Sequence, residues 1–287
     1  MQNKKDTIKR LIIYIVLAFV ISNGPMLVMM ALGVEQHTPT YQLVALLTMC
    51  GPAVASLLTR VITKEGFHNM YLRVNLKGNE KNYILAVLLP VVCAVLGGLL
   101  SALCFGGFLQ NEALKELSPV FYGSYVLYLV GFSAAVFFPA MGEELGWRGY
   151  MTPKMEEIMG TPAALLIGGV IWGLWHISDI IYSCQGQGVA VILVQTLLKC
   201  VVCVGMGSIL TYFTKKTGSI YPGSLLHMVN NNVAQILYVP FMTTAIMKAH
   251  NLEISILILI PIVVIGAVTF ILQVRDGKKK TPLPVTQ

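Results

Sequence analysis

The chain has 287 residues, of which 56% are apolar and only 11% are charged. A soluble domain carries about 25% charged residues, so this chain could not cover its surface in water. The net charge of +7 comes mainly from Lys and Arg between apolar runs, which is typical of membrane topology and gives no reason to expect nucleic-acid binding.

Eight apolar runs follow one another along the chain, each close to the roughly 20 residues that a membrane-spanning helix needs. They cover residues 11–33, 41–62, 83–109, 121–148, 163–183, 188–213, 222–241 and 252–274. The seventh is interrupted by Asn230, Asn231 and Asn232. Because the runs are continuous, they do not fit the alternating strands of a β-barrel. The sequence therefore predicts an all-α, polytopic helical bundle of about eight transmembrane helices, in one domain over residues 1–287.

Basic residues are concentrated on one side of the predicted bundle. With eight spans, 17 of the 20 Lys and Arg residues fall in the two terminal tails and in the connections on the same side. Loops rich in Lys and Arg stay in the cytoplasm, so both termini are predicted to be cytoplasmic in a protein of the plasma membrane. The first run is longer than the apolar region of a signal peptide and no typical cleavage site follows, so it is interpreted as a retained helix.

Ionisable residues inside apolar runs are costly and indicate a functional site. Glu143 and Glu144 are adjacent in the fourth run, and Arg148 follows Glu144 at the spacing at which a Glu and an Arg pair on one helix face. Glu144 is therefore predicted to be held in an ion pair. Glu143 has no such cation and is available for proton transfer. A solvated helix end near the cytoplasm is the alternative explanation of the two acids.

Two histidines and an asparagine occur in later runs. His176 lies in the fifth run, four residues after Trp172, and the nearby Asp179 could orient the imidazole ring or help to solvate the span. His227 and Asn231 are four residues apart in the seventh run, so they are predicted to project from one helix face. Each alone could serve packing or interhelical hydrogen bonding. Together with the acid pair they supply what a hydrolase needs to activate water and stabilise an oxyanion.

These motifs resemble those of the CAAX protease and bacteriocin-processing family of intramembrane peptidases. The family's patterns are Glu-Glu-x-x-x-Arg, an aromatic-x-x-x-His in which the aromatic residue is usually Phe, and His-x-x-x-Asn. Here they are matched in order by Glu143-Glu144-x-x-x-Arg148, Trp172-x-x-x-His176 and His227-x-x-x-Asn231. Trp172 in the place of Phe is a departure. The resemblance covers roughly residues 120–235, and this stretch is expected to be the peptidase core.

The resemblance implies that Glu143 and His176 hold and activate the attacking water. His227 and Asn231 would donate hydrogen bonds to the oxyanion, and the ion pair of Glu144 would orient the site. A competing version makes Glu143, His176 and His227 the ligands of a zinc ion, whereas the favoured version needs no cofactor. The expected substrate is a membrane-associated peptide or protein, with CAAX-type processing, peptide maturation or bacteriocin immunity as the role.

Two other functions fit a polytopic chain with buried polar residues, a transporter and a non-catalytic immunity or binding protein. The paired broken helices that are common in transporters are not evident. For the peptidase, the catalytic side chains are expected to surround one polar cavity that opens toward the cytoplasmic half of the bilayer. Helix lengths place Glu143 near the cytoplasmic interface and His176 beyond the midplane, so a tilt or a fifth helix starting in the cytosol must bring them to one level.

Overall fold

The computed structural model describes residues 4–36, 38–107, 119–234, 241 and 243–278, and every regular element in these ranges is helical. The elements are α1 (Lys4–Ala31), α2 (Pro39–Thr48), α3 (Gly51–Ile62), α4 (Glu80–Phe105), α5 (Pro119–Gly146), a first π-helical turn (Trp147–Met151), α6 (Thr152–Trp175), α7 (Ile177–Ser183), α8 (Val189–Thr217), α9 (Tyr221–Val229), a second π-helical turn (Asn230–Ala234), α10 (Thr244–Ala249) and α11 (Asn251–Lys278). The predicted all-α polytopic bundle is confirmed.

Six helical stretches in the described part of the chain are long and apolar enough to cross a membrane. One of them, Ser133–Trp175, combines α5, the first π-helical turn and α6, and it contains most of the fourth and fifth predicted spans. The seventh predicted span is helical through Ala234, and residues 108–109 and 235–240 of the third and seventh lie outside the described residues. The chain is an integral multi-pass membrane protein, and the count of eight spans stays a prediction.

Apolar side chains form stripes along the outside of the bundle. Ile12, Val16 and Val20 of α1 are each more than half exposed, and their four-residue spacing puts them on one helix face. Leu193 and Leu197 continue the same kind of stripe on α8. Large exposed apolar faces of this kind are stable against lipid and prone to association in water. The outer surface of the bundle therefore suits a bilayer.

Glycines bring the inner faces of four helices into close contact. Gly142 and Gly146 of α5 face the start of α3, and a Cβ at Gly146 would lie within 2.5 Å of the α3 backbone. Gly169 and Gly173 of α6 face α8, and a Cβ at Gly169 would lie 2.5 Å from the Cα of Val204. Small residues four apart let membrane helices approach closely. These contacts hold the helices that carry the acid pair and Trp172 at fixed distances from their neighbours.

Gly169→Ala is expected to destabilise the protein by about 1–3 kcal/mol, because the added methyl group would overlap the α8 backbone. Gly168→Ala is the matched control, since its Cβ would meet only the ends of the Met151 and Met155 side chains, at 3.5 and 3.6 Å. Thermal unfolding of the purified protein in detergent measures both variants. Equal melting temperatures for the two would contradict the close contact between α6 and α8.

The chain folds back at Gly160, inside the stretch assigned to α6. Its φ of 76° and ψ of 165° are not helical, and after it the helix returns along the first π-helical turn, where Gly168 faces Met151. Helical structure continues past Arg148 almost to Gly160, so the helix is longer than the fourth predicted span, and the end of the span at about Arg148 stays a prediction. Gly160 is nearly equidistant along the chain from Glu143 and His176, so the hairpin brings these two residues to one level without a special tilt.

A cluster of charged residues lies at the end of the bundle where α6 begins. The Glu65 carboxylate accepts hydrogen bonds from Lys154 and from the Tyr150 hydroxyl at 2.9 Å, and it lies 3.6 Å from Arg10 and 3.9 Å from Arg60. Burial alone would raise the pKa of Glu65, but Lys154 and Tyr150 lower it below its ordinary value. The ionised carboxylate thus joins α1, α3 and α6 at the end that carries many basic residues, here called the basic end.

Candidate active site

The acid pair lies at the end of α5, directly before the first π-helical turn. Glu143 and Glu144 are 1% and 0% exposed, so neither is a solvated helix end. Adjacent helical residues point about 100° apart, and the two carboxylates accordingly have different neighbours. Glu144 faces α9, whereas Glu143 faces the returning half of α6.

The Glu144 carboxylate is held by two charged or polar partners on the same oxygen. Its Oε1 accepts a hydrogen bond from Nη1 of Arg148 at 3.0 Å and one from Nδ1 of His227 at 2.9 Å. The ion pair with Arg148 is the one that the spacing predicts. Since an ionised carboxylate only accepts hydrogen bonds, Nδ1 of His227 carries the proton in this contact. Oε2 of Glu144 is buried and has no hydrogen-bond partner among the described residues.

Two indole groups hold the Glu143 carboxylate. Its Oε2 accepts hydrogen bonds from Nε1 of Trp172 at 2.8 Å and from Nε1 of Trp147 at 3.3 Å. Its Oε1 lies 3.9 Å from Nε2 of His227 and has no hydrogen-bond partner in the described part of the chain. No Lys or Arg there pairs with Glu143 either, as the sequence predicts. The carboxylate is fixed by neutral donors and keeps one oxygen available.

Trp172 lies at the centre of the site. The Arg148 guanidinium is 4.1 Å from the centroid of its ring, the geometry of a cation–π contact. The His227 ring packs against it edge to face, with centroids 5.5 Å apart. Gly207 of α8 leaves the necessary space, because a Cβ there would lie 3.2 Å from Nη2 of Arg148 and 3.9 Å from Cε3 of Trp172.

His176 ends α6, and the chain restarts directly after it as α7. Its ψ of 4° is outside the helical range, which interrupts the helix at this residue. The imidazole packs edge to face on Trp175, with centroids 4.8 Å apart, and is 6.2 Å from Trp172. The sequence suggests that Asp179 could orient the His176 ring, but the two side chains form no hydrogen bond among the described contacts. Oδ1 of Asp179 accepts a hydrogen bond from the Tyr41 hydroxyl at 2.8 Å instead.

Asn231 lies in the second π-helical turn, which begins one residue earlier. The wider turn separates its environment from that of His227, although the two are four residues apart. His227 is buried against Glu144, whereas Asn231 is exposed and its Oδ1 accepts a hydrogen bond from Nδ2 of Asn230 at 3.2 Å. The prediction that His227 and Asn231 share one face of a regular helix is therefore only partly met. Asn232 is the buried amide of this turn, and it donates to Oγ of Ser133 at 2.6 Å.

One cavity of about 180 Å³ is bordered by Glu143, His176 and Asn231. Its other walls come from α1, the end of α2 and the helix break at His176: Ser22, Met26, Ala45, Thr48, Met49, Trp175, Ser178 and Asp179. A water molecule occupies about 30 Å³ in the liquid, so the cavity has room for water together with part of a substrate. His227 is not one of its walls and lies behind Glu143.

The cavity extends away from the basic end of the bundle. Its walls in α1 are Ser22 and Met26, more than three helical turns beyond Arg10. On the basic side of Glu143 the interior is filled by Tyr14, Trp147 and other side chains, with the rings of these two packed edge to face at 5.8 Å. Bulky aromatic side chains occupy the space on the basic side. With the basic end in the cytoplasm, as predicted, the cavity would lie toward the opposite half of the bilayer, so the predicted orientation and the predicted cytoplasmic opening do not agree, and both stay predictions.

Residues 125–233 match the family model described as "Type II CAAX prenyl endopeptidase Rce1-like". The predicted family resemblance is confirmed. The matched segment contains the acid pair, Arg148, Trp172, both histidines and Asn231, and it supports a CAAX-type intramembrane endopeptidase. No curated protein sequence matches the chain.

Within the Rce1-like segment, the three residues of the alternative zinc set do not form a metal site as they stand. Among the described residues, no three His, Cys, Asp or Glu side chains are arranged to hold a metal ion. His227 uses Nδ1 for Glu144 and has only Nε2 near Glu143. The metal-free version and the zinc version both stay predictions.

Sequence reasoning missed three contacts of the Rce1-like segment, namely those of Trp147 and Trp172 with Glu143 and that of His227 with Glu144. Trp147 follows Glu143 by four residues, the same spacing that pairs Glu144 with Arg148, so it could have been found by including neutral donors in the search. The bond between His227 and Glu144 joins residues 83 positions apart and left no signal in the sequence. Outside the segment, α1 and α2 supply cavity walls that no motif marked.

Proposed function

We propose that this protein is an intramembrane endopeptidase that hydrolyses a peptide bond with a water molecule activated by Glu143. The observation that supports the proposal is the cavity bordered by Glu143, His176 and Asn231. It combines a carboxylate, an imidazole and an amide at one space, inside a segment similar to type II CAAX prenyl endopeptidases. A purely structural set of polar residues would fill its space instead of lining one that admits water.

Glu143 is proposed as the general base. Its Oε2 is occupied by the indole donors, so Oε1 is the oxygen that can accept the proton of a water. Its hydrogen-bond donors are neutral indoles, and no Lys or Arg among the described residues forms an ion pair with it. His176 borders the same cavity and is proposed to hold the water in place by hydrogen bonding.

Asn231 and His227 are proposed as donors to the oxyanion of the tetrahedral intermediate, although His227 is not a wall of the cavity and could reach a substrate only from Nε2, which lies beside Oε1 of Glu143. The Asn231 side chain borders the cavity, and its amide nitrogen can turn toward the carbonyl oxygen of a substrate. His227 can donate only from Nε2, since Nδ1 is bound to Glu144. Donation from both nitrogens requires the imidazolium form, which the neighbouring carboxylates favour. Glu144 and Arg148 thus act by holding His227 in one orientation.

A zinc mechanism is the alternative, and one observation favours it. A metal-binding histidine typically donates its other ring N–H to a carboxylate, as Nδ1 of His227 does to Glu144. Purified, active protein is expected to keep its activity after treatment with a chelator and to contain no stoichiometric zinc. Activity that is lost on chelation and restored by zinc would replace the metal-free mechanism.

The substrate is proposed to be a membrane-associated peptide or protein of the plasma membrane, processed in CAAX fashion or matured from a leader-bearing precursor. A role in bacteriocin immunity would use the same chemistry. Both termini are proposed to face the cytoplasm. Comparing membrane peptides from cells with the wild-type protein and with Glu143→Ala tests the function, since uncleaved substrate is expected to accumulate with the variant. Identical peptide profiles would contradict a peptidase function in those cells.

A further inference from the structure

Trp172 binds Glu143 directly, and it contacts Arg148, the partner of Glu144. Its N–H donates to Oε2 of Glu143 at 2.8 Å, the shorter of the two indole contacts on that oxygen. Its ring face receives the Arg148 guanidinium, which is paired with Glu144, and the His227 ring packs nearly perpendicular to it. With 3% of its surface exposed, the indole has little freedom to move.

The indole N–H of Trp172 donates a hydrogen bond to Glu143, which a phenyl ring could not do. A buried carboxylate without a cation needs hydrogen-bond donors to be held in one orientation and in its ionised form. The indole N–H supplies such a donor and leaves Oε1 unoccupied. Phe, the usual residue of the family at this place, has no donor, so the departure at Trp172 adds a hydrogen bond to the proposed base.

We propose that Trp172 is a positioning residue of this site: its N–H fixes the Glu143 carboxylate with Oε1 available to water, and its ring fixes Arg148 and thereby Glu144. The inference rests on the proposed function for its catalytic meaning. Gly207 is part of the same arrangement, because any side chain there would press on Arg148 where it lies over the indole. Trp172 thus orients both carboxylates, Glu143 directly and Glu144 through Arg148.

The test removes the N–H and keeps an aromatic ring, with Trp172→Phe in the full-length protein. Trp175→Phe is the matched control: it makes the same change three residues later, where the indole nitrogen is buried and has no hydrogen-bond partner among the described residues. The first readout is the infrared carboxyl band of Glu143, assigned as the band that Glu143→Gln abolishes. The second is kcat and KM for the peptide that accumulates with Glu143→Ala, prepared as a fluorescence-quenched substrate.

Trp172→Phe is expected to shift the Glu143 band and to lower kcat roughly 10- to 100-fold with little change in KM, as for a lost hydrogen bond to a charged group. Trp175→Phe is expected to leave the band in place, and it is the control for the infrared readout only, because Trp175 is itself a wall of the cavity and packs on His176. A residue that only fills space would not shift the band. If Trp172→Phe does not fold, benzothienylalanine at position 172 keeps the shape of the indole and lacks the N–H.

An unshifted Glu143 band and a wild-type kcat in a folded variant without the N–H would overturn the inference. The infrared readout needs no substrate, so it stands even if no peptide accumulates. Failure of the proposed function has a different signature, namely peptide cleavage that persists in Glu143→Gln. Loss of cleavage in Glu143→Gln combined with no effect at Trp172 would overturn the positioning role alone.

Discussion

Glu143→Gln is expected to lower the rate of peptide cleavage by roughly 10²- to 10⁴-fold, the contribution of a general base, while the protein remains folded in the membrane. Gln keeps the size of the side chain and a carbonyl oxygen that can still accept the indole hydrogen bonds of Trp172 and Trp147. What it loses is the ability to take a proton from water. Accumulation of uncleaved peptide in membranes measures the loss of cleavage. An unchanged melting temperature shows that the variant is folded.

Glu156→Gln is the control for Glu143→Gln. It makes the same chemical change at the basic end, where Glu156 pairs with Lys215, and it is expected to leave cleavage unchanged. Near-normal cleavage by Glu143→Gln would show that the base is another residue. A non-catalytic immunity protein would instead keep its protective effect in Glu143→Gln, which separates that alternative from the peptidase.

Glu144→Gln is expected to destabilise the protein by about 3–5 kcal/mol and to lower its abundance as well as its activity. The reason is that Arg148, only 3% exposed, would lose the negative charge that compensates its own. The hydrogen bond that holds Nδ1 of His227 would weaken at the same time. Thermal unfolding in detergent and the amount of protein in membranes are the measurements.

The double variant Glu144→Gln/Arg148→Met tests whether the loss of stability comes from the broken ion pair. Removing one member of a buried ion pair is costly, whereas removing both charges together often costs little. The double variant is therefore expected to lose less stability than the sum of the two single changes. Strict additivity, or wild-type stability of Glu144→Gln alone, would show that the pair is not the stabilising element of the site.

The bundle could be predicted from the sequence because lipid imposes a simple rule on composition. Runs of apolar residues predicted helices at nearly all the right places, including the division between the fourth and fifth runs, where Gly160 turns the chain back. The extent of the fourth helix was not predictable in this way. The residues after Arg148 are polar enough to predict a loop. In the structure they are helical, and Lys154 binds Glu65, which lies far away in the sequence, in the connection between α3 and α4.

The sequence names candidate residues for the site, but it predicts only part of their arrangement. Spacing along the chain predicts the pair of Glu144 and Arg148, because helical residues four apart lie on the same helix face. The indole contact of Trp172 with Glu143 depends on how two helices meet, and the glycines that set this distance look like ordinary membrane glycines in the sequence. The direction of the cavity relative to the basic end depends on which side the aromatic side chains fill, and spacing within one helix does not predict this.

The first π-helical turn has a consequence for sequence alignment. Such a turn accommodates about one residue more than an α-helical turn, so the faces of the helix before and after Trp147–Met151 are offset by one position. A relative with a regular helix here would need one residue fewer between Arg148 and Gly160 to keep Glu143 opposite Trp172 and Lys154 beside Glu65. A single-residue gap at this place is therefore a structural signal, and an alignment that forbids it would shift the Glu65 partner out of register with the acid pair.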